Sequence, residues 1–230
     1  QKKEELQNYH ENDIADVIPH LSDEEKTELF KILDEDDLSE VISYADDVDD
    51  IIEGLDDEFV ADILEEMDSD DAVDILEDMD NKDRASVLAK MDDDAREDAE
   101  MILSYNEDQI GRIMTTNFIV INKEDTIPVA MKKLVKQSGD NDNISTIFVV
   151  DDENKYFGAV DLKDLIKARK NAILTNICME NYPSVLASAI VSDVYQDVVD
   201  YGEDIIPVLD DSEHLILSLI HISEPTRHSL

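Results

Sequence analysis

Carboxylates are the reactive inventory of this sequence. The stretch DILEEMDSDDAVDILEDMDNKD, residues 62–83, packs them densely, and the whole chain of 230 residues holds 60 Asp or Glu against 19 Lys or Arg. Oxygen donors in that number, with no His or Cys among them, suit hard cations such as Mg2+ or Ca2+ rather than zinc or copper. The histidines, His10, His20, His214, His221 and His228, have no Cys, Ser or metal-spaced neighbours, and no glycine-rich phosphate loop is present. Acids lie so close together everywhere that no pair stands out for general acid–base work, so the sequence points away from an enzyme. Preformed calcium loops are excluded as well. DEDDLSEVISYA from Asp34 lacks the glycine an EF-hand needs at its sixth position, and DNDNISTIFVVD from Asp140 places Ile144 at the fifth. What remains is a set of diffuse, water-rich cation sites shared between surfaces.

A repeat positions these acids. Met67, Met79 and Met91 lie 12 residues apart, each followed at once by Asp. Units starting at residues 21, 33, 45, 55, 67, 79 and 91 are all 12 long except the third, which has 10. Apolar residues recur at the first position and near the ninth and tenth: Leu29/Phe30, Val41/Ile42, Ile63/Leu64, Ile75/Leu76 and Val87/Leu88. On one continuous helix each unit would turn the apolar stripe by about 120°, and the stripe would wander around all sides. The spacing therefore predicts short helices joined by tight corners and stacked as an array, because one unit cannot bury its own face. Ser22, Asp34, Asp56, Asp68, Asp80 and Asp92 then become N-caps. The acids behind them fall in the first turn, where the helix dipole favours negative charge. Capping explains only part of the acids.

Residues 1–110 carry 41 acids and 8 bases, a net of −33, while residues 111–230 carry 19 and 11, a net of −8. Two regions of different character thus meet near residues 108–112. An apolar content of 42% supplies a core, against self-repulsion from a net charge of −41. Nucleic acid is excluded as a partner, since phosphate would meet carboxylate. The bases Lys132, Lys133, Lys136, Lys163, Lys167, Arg169 and Lys170 read as helix faces. A single cysteine, Cys178, excludes a disulfide framework and fits a reducing cytoplasm. No run approaches the roughly 18–20 apolar residues of a membrane span, and no leader pattern opens the sequence, so the chain as given is expected to be soluble.

From Gln109 the periodicity changes. A β-rich stretch, Phe118–Ile121, precedes a helix opened by Thr126 with Pro128 in its first turn. A buried strand in STIFVV follows, then a turn at DDENK, a second strand YFGAV and an amphipathic helix. The order β-α-β-β-α begins again at NICMENYPSV, so the region is a tandem pair.

Three segments of this region, GRIMTTNFIVINKEDTI, IFVVDDENKYFGAVDLKDL and DYGEDIIPVLDDSEHL, resemble a tandem CBS (cystathionine-β-synthase-type) module. Preceded by the acidic repeat, they make residues 10–216 similar to the cytosolic half of the MgtE family of bacterial magnesium transporters. The resemblance implies a fold of the α + α/β class: an acidic all-α superhelix over residues 1–108, a first CBS domain over 109–170 and a truncated second one over 171–216. It also implies a homodimer formed through the CBS domains, a transmembrane domain of its own in the full-length protein, and a place on the cytoplasmic side of the bacterial membrane. Mg2+ is the implied ligand. Cations bridging the acidic and CBS domains would close the dimer and inhibit transport.

The ligands carried over are Glu66 and Asp70 on the helical domain, Gly111, whose carbonyl Asp70 would approach, and Asp200. Glu203 and Asp204 join them because Gly202 stands where the family has an acid. The alternatives are a CBS-type adenine-nucleotide sensor and a helical scaffold like that of flagellar switch proteins. ATP is the weaker ligand: in GAVDLKD, Gly158 and Asp164 match the nucleotide pattern, but Asp161 stands where a hydroxyl would serve phosphate. The closing stretch LILSLIHISEPTRHSL changes composition abruptly and lacks the glycine, strand and acid expected of the second module. Residues 217–230 read as a non-native tail, and His221 and His228 are set aside.

Overall fold

The computed structural model describes residues 6, 9–45, 48–52, 55–139, 141 and 143–220, without the side chains of Asp23, Asp49 and Asp50. The chain divides into two units, Gln1–Met101 and Ile102–Leu230.

The first unit is the array of short helices that the repeat predicts: α1 (Glu11–Val17), α2 (Asp23–Phe30), α3 (Glu35–Ser43), α4 (Asp49–Ile52), α5 (Asp57–Glu65), α6 (Ser69–Asp78), α7 (Asn81–Leu88) and α8 (Asp93–Leu103). The shortened third repeat holds only the one-turn α4. Four of the expected capping residues, Ser22, Asp34, Asp56 and Asp80, cap their helices. Asp34 accepts from Asp37 N at 3.0 Å, Asp56 from Glu58 N at 3.0 Å, and Asp80 from Lys82 N at 2.8 Å and Asp83 N at 3.0 Å. Ser22 and Glu25 close a capping box. Asp68 departs from the expectation: it stands at the N-cap of α6, but its side chain makes no capping bond.

The apolar pairs of the repeat form the core. Val41, Ile42, Ile63, Leu64, Ile75, Leu76 and Val87 are buried, with Leu38, Val60, Ala61, Ala72 and Val73 between them. Polar ties then fix the stacking around α5. Asp57 accepts from Ser86 Oγ, and Glu65 accepts from Asp92 N at 2.6 Å. Arg84, on α7, donates to the carbonyls of Leu76 at 2.5 Å, Glu77 at 2.7 Å and Met79 at 3.3 Å. One guanidinium thus serves the C-terminal end of α6, where the orphan carbonyls and the negative end of the dipole lie.

The second unit contains two small sheets of the same topology. In the first, β1 (Ile119–Asn122) runs parallel to β2 (Thr146–Val150), which pairs antiparallel with β3 (Tyr156–Asp161). In the second, β4 (Val185–Leu186), β5 (Ile205–Leu209) and β6 (Leu215–Ile220) repeat that pattern. Helices α9 (Ile127–Gln137) and α10 (Leu162–Lys167) cover one face of the first sheet, burying Ile119, Ile121, Ile147 and Val149 against Ala130, Leu134 and Leu165. Its other face packs Phe148 and Ala159 against Tyr182, Ile205, Leu209 and Leu215 of the second module. Helix α11 (Val191–Tyr201) belongs to that second module.

The β2–β3 and β5–β6 turns are built alike. Asp151 accepts from Glu153 N at 2.9 Å and Lys155 N at 3.0 Å; Asp210 accepts from Ser212 N and His214 N, both at 2.8 Å. Asn154 and Glu213 take left-handed φ values of 61° and 69°. The two turns pair with each other: Tyr156 N donates to Glu213 O, and Leu215 N to Asn154 O, each at 3.0 Å.

Strand β6 supplies the strand that the C-terminal stretch was expected to lack. Residues 217–220 belong to a strand paired with β5 from Ile205–Ile220 to Leu209–Leu215, and Ser218 exchanges backbone hydrogen bonds with Thr115. The partners there supply backbone groups to any residue that can lie extended. The period-two placement of Leu215, Leu217 and Leu219, all buried, then satisfies the core. His221 and His228 lie outside the described residues. Among the described residues, no helix is long and apolar enough to cross a membrane.

Truncating Arg84 to Ala is expected to lower the stability of the helical unit by about 2–3 kcal/mol, the range for hydrogen bonds made by a charged donor in a partly buried setting. Lys at this position should recover only part of that loss, because one ammonium cannot span the carbonyls the guanidinium reaches. Urea unfolding followed by circular dichroism measures both.

Candidate metal-binding carboxylates

The acids carried over from the family fall into two groups. Glu66 is the exposed C-cap residue of α5, and Asp70 lies half-buried in the first turn of α6. The corner between the two helices sets them four residues apart. In the second unit, Asp200 is exposed on the last turn of α11 and accepts from Gln196 Nε2 at 2.8 Å. Gly202 ends that helix in the left-handed region at φ 65°, and the exposed Glu203 and Asp204 follow directly. The αL cap turns the chain so that these two acids lead into β5. Their charge is felt inside the module: burial first, and then the Glu203 and Asp204 carboxylates, push the Tyr182 phenol up.

Gly111 has a packing reason of its own. It sits buried in the 3-10 turn Ile110–Arg112, its N–H donates to Ala187 O at 2.8 Å, and a Cβ there would collide with the Tyr105 ring. Glycine is required at this position by that ring, whatever its carbonyl does. Among the described residues, no group of three or more His, Cys, Asp or Glu side chains is placed to hold a metal ion.

Sequence reasoning missed the most perturbed acid. Surrounding protein, followed by the charges of Asp70, Asp68 and Asp74, pushes the Asp71 carboxyl up to about 6, although its side chain still reaches solvent. Burial and then Asp94 and Glu97 raise Asp98 on α8 in the same direction. The signal was available in the spacing, since Asp68, Asp71 and Asp74 follow at i, i+3 and i+6, and Asp94 and Asp98 at i, i+4. Like charges at those separations face each other on a helix. The capping acids behave in the opposite way. Backbone N–H groups of Asp83 and Lys82 hold Asp80 below the usual carboxylate range, and Ser22 does the same for Glu25. One part of the acid population is thus satisfied by the backbone, and another is held in mutual repulsion.

Comparison with known proteins places this geometry. The family model for the MgtE intracellular N domain matches residues 9–108, and that for the CBS domain matches residues 110–171. Magnesium transporter MgtE of Enterococcus faecalis is 34% identical over 115 residues, 50% of this chain and 25% of that protein. Magnesium transporter MgtE of Thermus thermophilus is 26% identical over 121 residues, 53% of this chain and 27% of that protein. The matched segments are thus a minor part of the relatives' length. Among solved structures, the soluble part of a magnesium transporter superposes with a TM-score of 0.88 at 26% identity, covering 95% of this chain and 87% of that one. The cytosolic domain of the Mg2+ channel MgtE, in a complex with ATP, superposes with a TM-score of 0.84 at 23% identity, covering 95% and 90%. A helical N-terminal domain followed by a CBS pair, the fold class expected from the sequence, is what these structures share.

The raised Asp71 carboxyl sets a pH dependence. Its folded-state value of about 6 lies above the ordinary 3.8, so the folded state binds the proton more tightly than the unfolded one. The helical unit should gain stability as pH falls through about 6 toward the ordinary carboxylate range, and that contribution should be absent above it. Asp71→Asn is expected to raise the urea midpoint at pH 7 and to flatten its rise between pH 7 and 5.

Proposed function

We propose that this chain, which matches the MgtE intracellular N domain and a CBS domain and superposes on the soluble part of a magnesium transporter, is the Mg2+-sensing regulatory part of such a transporter. The observation that carries the reading is the run of carboxylates on α6, where burial and then Asp70, Asp68 and Asp74 raise Asp71. Such a surface is destabilised by its own charge, and a divalent cation relieves it. Without Mg2+ the acidic helical domain repels other acidic surfaces, those of its own CBS pair and those of a second copy. With Mg2+ bridging them, the domains close on one another, the dimer formed through the CBS domains tightens, and transport by the membrane domain is inhibited.

Glu66 and Asp70 act from the helical side, and Asp200, Glu203 and Asp204 from the second CBS module, with Gly111 offering its carbonyl. Each ion keeps most of its water and meets only one or two carboxylates, so binding is weak and suited to sensing an abundant ion. Adenine nucleotide remains the second reading, with less support. Asp161 already takes the second N–H of α10, from Lys163 at 2.7 Å, and sets a negative charge where a phosphate would need donors.

Small-angle scattering and limited proteolysis in EDTA and in millimolar Mg2+ test the proposal. Compaction and protection are expected with Mg2+, and their absence would refute it. Asp70→Asn combined with Asp200→Asn should raise the Mg2+ midpoint several-fold. An unchanged midpoint would remove these two residues as ligands.

A further inference from the structure

Residues 105–113 lead into the first CBS module in sequence but are bonded to the second. Ile110 N donates to Ala189 O, Gly111 N to Ala187 O, and Val191 N to Asp108 O, each at 2.8 Å. The Gln109 side chain donates to Ser188 O at 3.1 Å while its oxygen accepts from Asn106 N at 2.9 Å. The turn that receives these bonds is itself tied to β5, with Ala187 N donating to Leu209 O at 2.9 Å. The Tyr105 ring covers Gly111 so closely that only glycine fits beneath it.

The Asp108–Val191 bond has a specific consequence. Val191 is the first residue of α11, and Ile190, at the N-cap, has no side chain able to cap the helix. A helix leaves its first N–H groups without internal partners. Here the carbonyl of Asp108, distant in sequence, takes one of them. The same helix carries Asp200 and ends at Gly202, just before Glu203 and Asp204.

We propose that residues 105–113 are a clasp that couples the end of α8 to α11, so that displacement of the clasp uncaps and frays the start of α11, and its seating firms it. The clasp rests on this hydrogen-bond geometry alone. Its use as a signal route from the acidic helices to the acids around Asp200 rests on the Mg2+-sensing reading.

Hydrogen exchange on the full chain, read by mass spectrometry, tests it in two arms. In the metal-free arm, Gln109→Ala and Gly111→Ala are compared with the parent chain. Amides 191–195 should exchange about tenfold faster in both variants, as expected when roughly one net hydrogen bond's worth of local stability is lost, while β5 and β6 keep their protection. Unchanged exchange at 191–195, or equal loss across β5 and β6, overturns the clasp. The milder Gln109→Ala keeps the test valid if Gly111→Ala does not fold. In the Mg2+ arm, the parent chain should gain protection in residues 62–74 and 191–195 together, and the variants only in residues 62–74. Variants that still gain protection at both segments overturn the coupling. A parent chain that gains none refutes Mg2+ sensing and leaves the clasp to be decided by the metal-free arm.

Discussion

The hydrogen bond from a helix N-terminus to a carboxylate is the interaction on which the acidic half of this molecule depends. A region with 41 acids and 8 bases over residues 1–110 cannot neutralise itself through ion pairs. A helix N-terminus offers unpaired N–H groups and the positive end of the backbone dipole in the same place. One long helix would provide a single such end. Dividing the same length into two-turn helices provides one for every repeat, and Asp34, Asp56 and Asp80 occupy them. The short repeat is therefore also a way of accommodating charge. Arg84 completes the scheme at the opposite pole, where the last carbonyls of α6 would otherwise face a surface crowded with acids.

Capping sorts the carboxylates into two populations with different relations to a cation. Those that hold backbone N–H groups, such as Asp80, are already stabilised in their ionised form. A cation would have to compete with those bonds. Asp71 and Asp98 are partly desolvated and carry neighbouring like charge without that relief, and their ionised forms are disfavoured. A divalent ion gains most at the second kind, since removing repulsion adds to direct attraction. On the proposed function, the sensing surface is the residue of charge left after the helix ends are satisfied. A regular repeat thus leaves a few irregular hot points, at positions where i, i+3 acids coincide.

Much of this was legible in the sequence, for reasons that particular residues make plain. The repeat of Met67, Met79 and Met91 gave the helix boundaries because each cap is local, decided by a residue and its next three neighbours. Thr126 and Pro128 marked the start of α9 in the same way. The strand over residues 215–220 was missed because a strand slot is filled by backbone pairing, which composition does not report; Leu215, Leu217 and Leu219 were enough. Gly111 entered the sequence reading as a ligand, and its steric role stayed hidden because Tyr105 reaches it only once the intervening residues fold back as a turn. The capping of α11 by Asp108 was beyond any local rule. Of the candidate acids, the sequence supplied the inventory, while the ranking among them needed the spacing on α6 and the burial around Asp71.

The two units differ in how they would feel a change in cation concentration. In the second unit several acids already have partners: Asp151 faces Lys123 at 3.6 Å, Asp125 holds Lys133 at 2.7 Å, and Asp210 bonds His214 at 2.9 Å. In its twin turns the Asp151 and Asp210 carboxylates are held by backbone N–H groups. Acids with such partners have less to gain from a divalent ion than the exposed acids at the end of α11. The helical unit, with its net −33 over residues 1–110, is the part whose energy changes most when charge is neutralised. A responsive element joined to an indifferent one transmits nothing unless their connection bears load at a defined point. A loose linker would dissipate the change as conformational entropy. On the proposed clasp, a segment fixed by four hydrogen bonds and a ring stacked on glycine carries a movement at its start to α11.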